Sequence, residues 1–118
     1  DGFQGTGWAF ADTDREPTLT LELDKPQRTK LVLLGEIDAS RAFVGRFARL
    51  RRVALYINKD PTPLEFEFPS DASPAEAQLK HELPLPKATV VRSLRLRILQ
   101  WTPGREHTTG GIAELELR

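Results

Sequence analysis

The chain has no cysteine and no methionine in 118 residues. Without thiols there are no disulfides, no thiolate metal ligands and no cysteine nucleophile, so zinc-finger architectures are excluded and the redox compartment stays open. The two histidines, His81 and His107, are too far apart in sequence to form a local zinc motif. Net charge is absent as well: 17 basic and 17 acidic side chains cancel. No bulk attraction to nucleic acid or to an anionic membrane follows. Long apolar runs are missing, and with them any signal-peptide core or spanning helix. There are no internal repeats. The one glycine pair that invites a phosphate-loop reading, in "TGGIAEL", leads into a strand and not a helix.

What is present is alternation. From Thr18, the residues Leu19, Leu21 and Leu23 alternate with Thr20, Glu22 and Asp24, the pattern of a strand with one buried face. "DKPQR" reads as a turn. The run from Thr29 to Leu34 is nearly all apolar from Leu31 onward, which predicts a strand buried on both faces or entering the middle of a sheet, ended by Gly35. Residues 36–49 keep neither period and predict a long loop. Val53, Leu55 and Ile57 resume the alternation, with Arg52, Ala54 and Tyr56 on the opposite face, and "NKDPTP" turns the chain. Leu64, Phe66 and Phe68 mark the next strand, and "PSDASPAEA" a polar loop. Leu79, His81, Leu83 and Leu85 form a further strand face; Leu94, Leu96 and Ile98 form another, with a bulge expected near Leu99, where the parity slips. Ala113, Leu115 and Leu117 face inward on the last strand. About seven short strands, nine prolines placed mostly between them and no amphipathic helix predict a single all-β domain over residues 1–118, an antiparallel β-sandwich.

The side chains that carry chemistry are few. Arg105, Glu106 and His107 stand together between Pro103–Gly104 and Gly110–Gly111, a displayed loop with Thr108 and Thr109 beside them. A general base there needs a nucleophile and an orienting carboxylate converging in space, and sequence neighbours do not supply that arrangement. The chain is therefore expected not to be an enzyme, a hydrolase loop at His107 being the weakest reading. His81 lies on the apolar parity of its strand and reads as a hydrogen-bonded histidine at the edge of the core. In "ADTDRE", Asp12 and Asp14 offer oxygen donors suited to calcium, the one cofactor considered. Arg41, Arg46, Arg49, Arg51 and Arg52 crowd a segment without matching acids, and forked guanidinium contacts suit phosphate, sulfate or an acidic sugar. Trp8 and Trp101 are each either a sugar-stacking ring or a core plug. Phe43 and Phe47, four apart in a polar stretch, are candidate anchors for a protein partner.

Several phrases together resemble one family. "DGFQGTGW" is similar to the opening of discoidin-like, galactose-binding-type β-sandwiches. "LVLLGEIDASRAFVGRFARLRRVALYI" looks like the strand, glycine-led loop and second strand of the subgroup of NADase-type glycan-binding domains, also described as the translocation module of a secreted NAD glycohydrolase toxin. "LRLRILQWTPGREHTTGGIAELEL" resembles that subgroup's ending. The resemblance implies an eight-stranded jelly roll, a strand or loop upstream of Asp1, and recognition through loops at one end. Carried over, the ligand-binding candidates are Trp8 in the opening; Glu36, Asp38, Arg41, Phe43, Arg46 and Phe47 in the central loop; and Arg105, Glu106, His107 and Thr109 in the last. The expectation is a non-catalytic binding module excised from a larger bacterial, extracytoplasmic polypeptide. Its partner is a glycan or another surface ligand, with no nucleic acid and no membrane insertion. The alternative is a protein interaction or assembly domain using the same loops or an exposed sheet face.

Overall fold

The computed structural model of the chain describes residues 2–3, 8–9, 17–36, 49–68, 80–102 and 111–118. Among them are seven strands and no helix: β1 (Gly2–Phe3), β2 (Trp8–Ala9), β3 (Thr18–Glu36), β4 (Arg49–Ile57), β5 (Leu64–Glu67), β6 (Lys80–Thr102) and β7 (Gly111–Leu117). Every pairing is antiparallel. The strands run β1-β7-β3-β6-β4-β5, and β2 also pairs with β7.

Two pairs of expected strands are fused. "DKPQR" is not a turn: it lies inside β3, which continues from Thr18 to Glu36. The stretches around Leu83 and Leu96 likewise belong to the one strand β6. Between Glu22↔Ser93 and Gln27↔Val91, β3 advances five residues while β6 advances two; between Thr29↔Thr89 and Leu31↔Pro84 the imbalance is reversed. The second irregularity restores the register that the first displaced. Pro26 sits in the first and Pro86 in the second, where a residue without an N–H leaves no ladder bond unmade. Turn-forming residues here bend two strands together instead of ending them.

β3 and β6 run through both parts of the sheet, and apolar rows from the two parts share one core. Leu19, Leu50, Val53, Leu55, Leu94, Leu96 and Ile98 from the β4 side meet Val32, Leu34, Leu83, Ile112, Leu115 and Leu117 from the β7 side in one buried apolar cluster. The period-two alternation holds along these strands, since a shift of one residue would turn each row of leucines to solvent. The expected bulge is found at Leu99: Val53 pairs with Ile98 and Arg52 with Gln100, leaving Leu99 without an opposite residue. Beyond the bulge Trp101 returns to pack against the core, the plug role of the two weighed for it.

The turn after β4 hinges on Asn58, a non-glycine residue in the left-handed region with φ of 56°. Its side chain compensates. Asn58 Oδ1 accepts from the backbone N–H of Arg92 at 2.7 Å and of Ser93 at 3.3 Å, and Nδ2 donates to Val90 O at 3.1 Å. Asn58→Ala removes these bonds and keeps a Cβ in the left-handed conformation, so a loss of about 1–3 kcal/mol is expected. Asn58→Gly keeps the backbone permissive and should lose less in the same urea titration.

Candidate functional site

The strand ends gather at one end of the molecule. Glu36 closes β3 and pairs with Ile112 at the start of β7; Trp8 pairs with the same Ile112. Arg49 opens β4 opposite Thr102 at the end of β6, and Gly35 lies opposite Lys80 at its beginning. The roots of segments 37–48 and 103–110 therefore lie together, beside the short pairing of Trp8 and Ala9 with β7. The stacking of Phe68 on His81, with ring centroids 3.8 Å apart and planes 7° from parallel, brings the two ends of segment 69–79 to the same place.

At the centre of this end is a carboxylate. Glu36 is 1% exposed, His81 5% and Arg49 8%, so three ionisable side chains are withdrawn from water together. Leu50 N–H donates to Glu36 Oε1 at 2.7 Å, and the Arg49 guanidinium donates through Nε and Nη2 to Oε2 at 3.3 Å each. His81 Nε2 lies 2.7 Å from Oε2, and toward an ionised carboxylate that nitrogen serves as a donor. A buried carboxylate is tolerable when its charge is matched and its lone pairs are filled, and here a cation and three donor groups do both. The network also crosses the fold. Glu36 comes from β3, Arg49 and Leu50 from β4, and His81 from the start of β6.

Glu36 was expected in the loop. It is instead the last residue of β3, faces inward and has both oxygens engaged. It holds the root of segment 37–48 and is not displayed to a ligand. Asp38, Arg41, Phe43, Arg46 and Phe47, Arg105, Glu106, His107 and Thr109, and the calcium candidates Asp12 and Asp14, lie outside the described residues. Trp8 is placed by its backbone pairing alone. No group of three or more metal-ligating side chains occurs among the described residues.

Of the arginine cluster that looked unmatched in sequence, Arg49, Arg51 and Arg52 have partners, and Arg41 and Arg46 lie outside the described residues. Arg49 meets Glu36, Arg51 Nε donates to Thr102 Oγ1 at 2.7 Å, and Arg52 pairs with Glu65 across β4 and β5. The acids that match Arg49 and Arg52 lie on other strands, so counting charges within one segment could not find them. On the same outward face Arg95 and Arg97 lie over the ring of Tyr56, at 4.6 and 5.5 Å from its centroid. His81 is where its parity put it, hydrogen-bonded at the core's margin; its partner was not legible, because Glu36 is paired to it through the fold.

No protein-family model matches the chain, and no curated protein matches it. Among solved structures, the NMR structure of the Streptococcus pyogenes NAD+-glycohydrolase translocation domain is similar over 97% of this chain and 98% of that one, with a TM-score of 0.65 at 11% identity. That likeness is one of fold. It agrees with the subgroup that the quoted phrases resemble.

Proposed function

We propose that this chain is a non-catalytic recognition module of a larger, bacterial, extracytoplasmic protein: a discoidin-like jelly roll that takes a glycan or another surface ligand at one end. The observation that carries the reading is the convergence of the roots of segments 37–48, 69–79 and 103–110 on the buried Glu36 network. Rigid strands that end together around a fixed anchor are a suitable mount for recognition loops, whose sequences vary at little cost to the core. The shared fold with a translocation domain supports a module that works within a larger polypeptide.

The test is a glycan array probed with the 118-residue chain, followed by calorimetry on each hit with wild type, Arg41→Ala, Arg46→Ala and Arg105→Ala. Binding is expected to weaken by roughly tenfold or more for at least one variant, as for the loss of a charged hydrogen bond. No saccharide bound would remove the glycan as ligand, and equal binding by all four proteins would remove these loops as its site.

A further inference from the structure

Two segments at the loop end are each closed at the base by a pair of side chains. Segment 37–48 leaves from Glu36 and returns at Arg49, and across its base the Glu36 carboxylate meets the Arg49 guanidinium and the Leu50 N–H. Segment 69–79 leaves from Phe68 and returns at Lys80, and across its base Phe68 stacks on His81. The two closures share one carboxylate. Leu34 stands opposite His81 on the neighbouring strand, with Glu36 two residues on, so Glu36 and His81 are diagonal neighbours on the inward face. His81 Nε2 thereby reaches the same oxygen, Oε2, that Arg49 reaches from β4.

That oxygen is not shared evenly. His81 lies at 2.7 Å, whereas the guanidinium contacts to the carboxylate are 3.3 to 3.4 Å long. An ion-paired guanidinium ordinarily approaches a carboxylate to roughly 2.7–2.9 Å. The carboxylate therefore rests against the imidazole and stands back from the arginine. Their attraction still rises as the distance falls. All three side chains are buried, so lone pairs that one donor gives up are taken by the other more readily than by bulk water. A carboxylate released by His81 has one favourable move, onto Arg49.

We infer that the Glu36 carboxylate is a toggle between the two closures: it sits on His81 while Phe68 holds that ring, and moves onto Arg49 when the ring is withdrawn. Opening the base of segment 69–79 then tightens the base of segment 37–48, and a partner that draws one segment away resets the other. An element with two arrangements, whose balance both segments bias, is what such coupling requires physically. The sign sets it apart from a plain anchor, in which the loss of any member loosens all the others. The toggle needs no ligand, and stands if the loops prove to take no glycan.

The test follows the Arg49 Nε–H signal by NMR in the 118-residue chain, because that proton moves downfield as its bond to a carboxylate shortens. His81→Phe removes the imidazole donor and keeps a ring against Phe68. The Arg49 signal is expected to move downfield, and its hydrogen exchange to slow by roughly three- to tenfold, the worth of one hydrogen bond. A merely structural histidine predicts the reverse, since its loss lowers stability and should speed that exchange. His81→Gln keeps an N–H donor and should leave the signal near its wild-type position. Phe68→Leu keeps His81 but removes the stacked ring; it should shift the signal the same way by less, and it decides the matter if the His81 variants do not fold. An Arg49 signal that stays in place, moves upfield or exchanges faster in the folded variants would overturn the inference.

Discussion

Glu36→Ala is expected to destabilise the fold by about 3–5 kcal/mol, as when one partner of a buried ion pair is removed. The side chain itself is small; what remains after its loss is costly. Arg49 at 8% exposure and His81 at 5% keep their places in the interior, while the Leu50 N–H loses the acceptor it had at 2.7 Å. In a domain of this size the melting temperature should fall by roughly 10–25 °C. Glu36→Gln separates charge from shape: the amide oxygen can still accept from Leu50, so part of the loss should return. Replacing the network together, with Glu36→Leu, Arg49→Met and His81→Leu, should cost less than Glu36→Ala alone, because no charge is then stranded. The Leu50 N–H remains unmatched in that variant, at about 1–3 kcal/mol. Urea unfolding of the three proteins checks the order. A loss below about 1 kcal/mol for Glu36→Ala would place the network with exposed ion pairs, which contribute that little.

Leu96→Ala is the second large effect. Leu96 is fully buried on β6, with Leu19 of β3 opposite on one side and Leu55 of β4 on the other. Strands bonded on both edges cannot close around the missing atoms as a free edge can, so most of the cavity persists. The expected cost is about 3–5 kcal/mol, the upper part of the range for leucine truncation. Leu64→Ala on β5, where the side chain is only partly buried, should cost about half as much or less. Equal losses at the two positions would mean that β5 is packed as tightly as the centre.

The sequence marked most of the apolar core among the described residues, though Leu50, Val91 and Ile112, buried as well, fall outside the rows it marked. Leu19, Val53, Leu55, Leu83, Leu94, Leu96, Ile98, Leu115 and Leu117 are buried, as their alternation requires. That information is local, because side chains alternate across a strand whatever its neighbours are. The bulge at Leu99 was legible for the same reason. Where strands end was less so. Pro26 and Pro86 punctuate a sequence equally well as turns or as bends inside a continuous strand, and pairing partners far along the chain make the difference.

The site divides in the same way. The sequence determined that His81 faces the core and that the chain brackets segment 37–48 with an acid and a base, Glu36 and Arg49. Tertiary structure alone decided that these three side chains meet, that Arg52 finds Glu65, and that β5 comes last in the order of the described strands. The physical reason is range. Alternation is fixed by covalent geometry between neighbouring residues, whereas the partner of a buried charge is fixed by the register of strands joined through dozens of intervening residues.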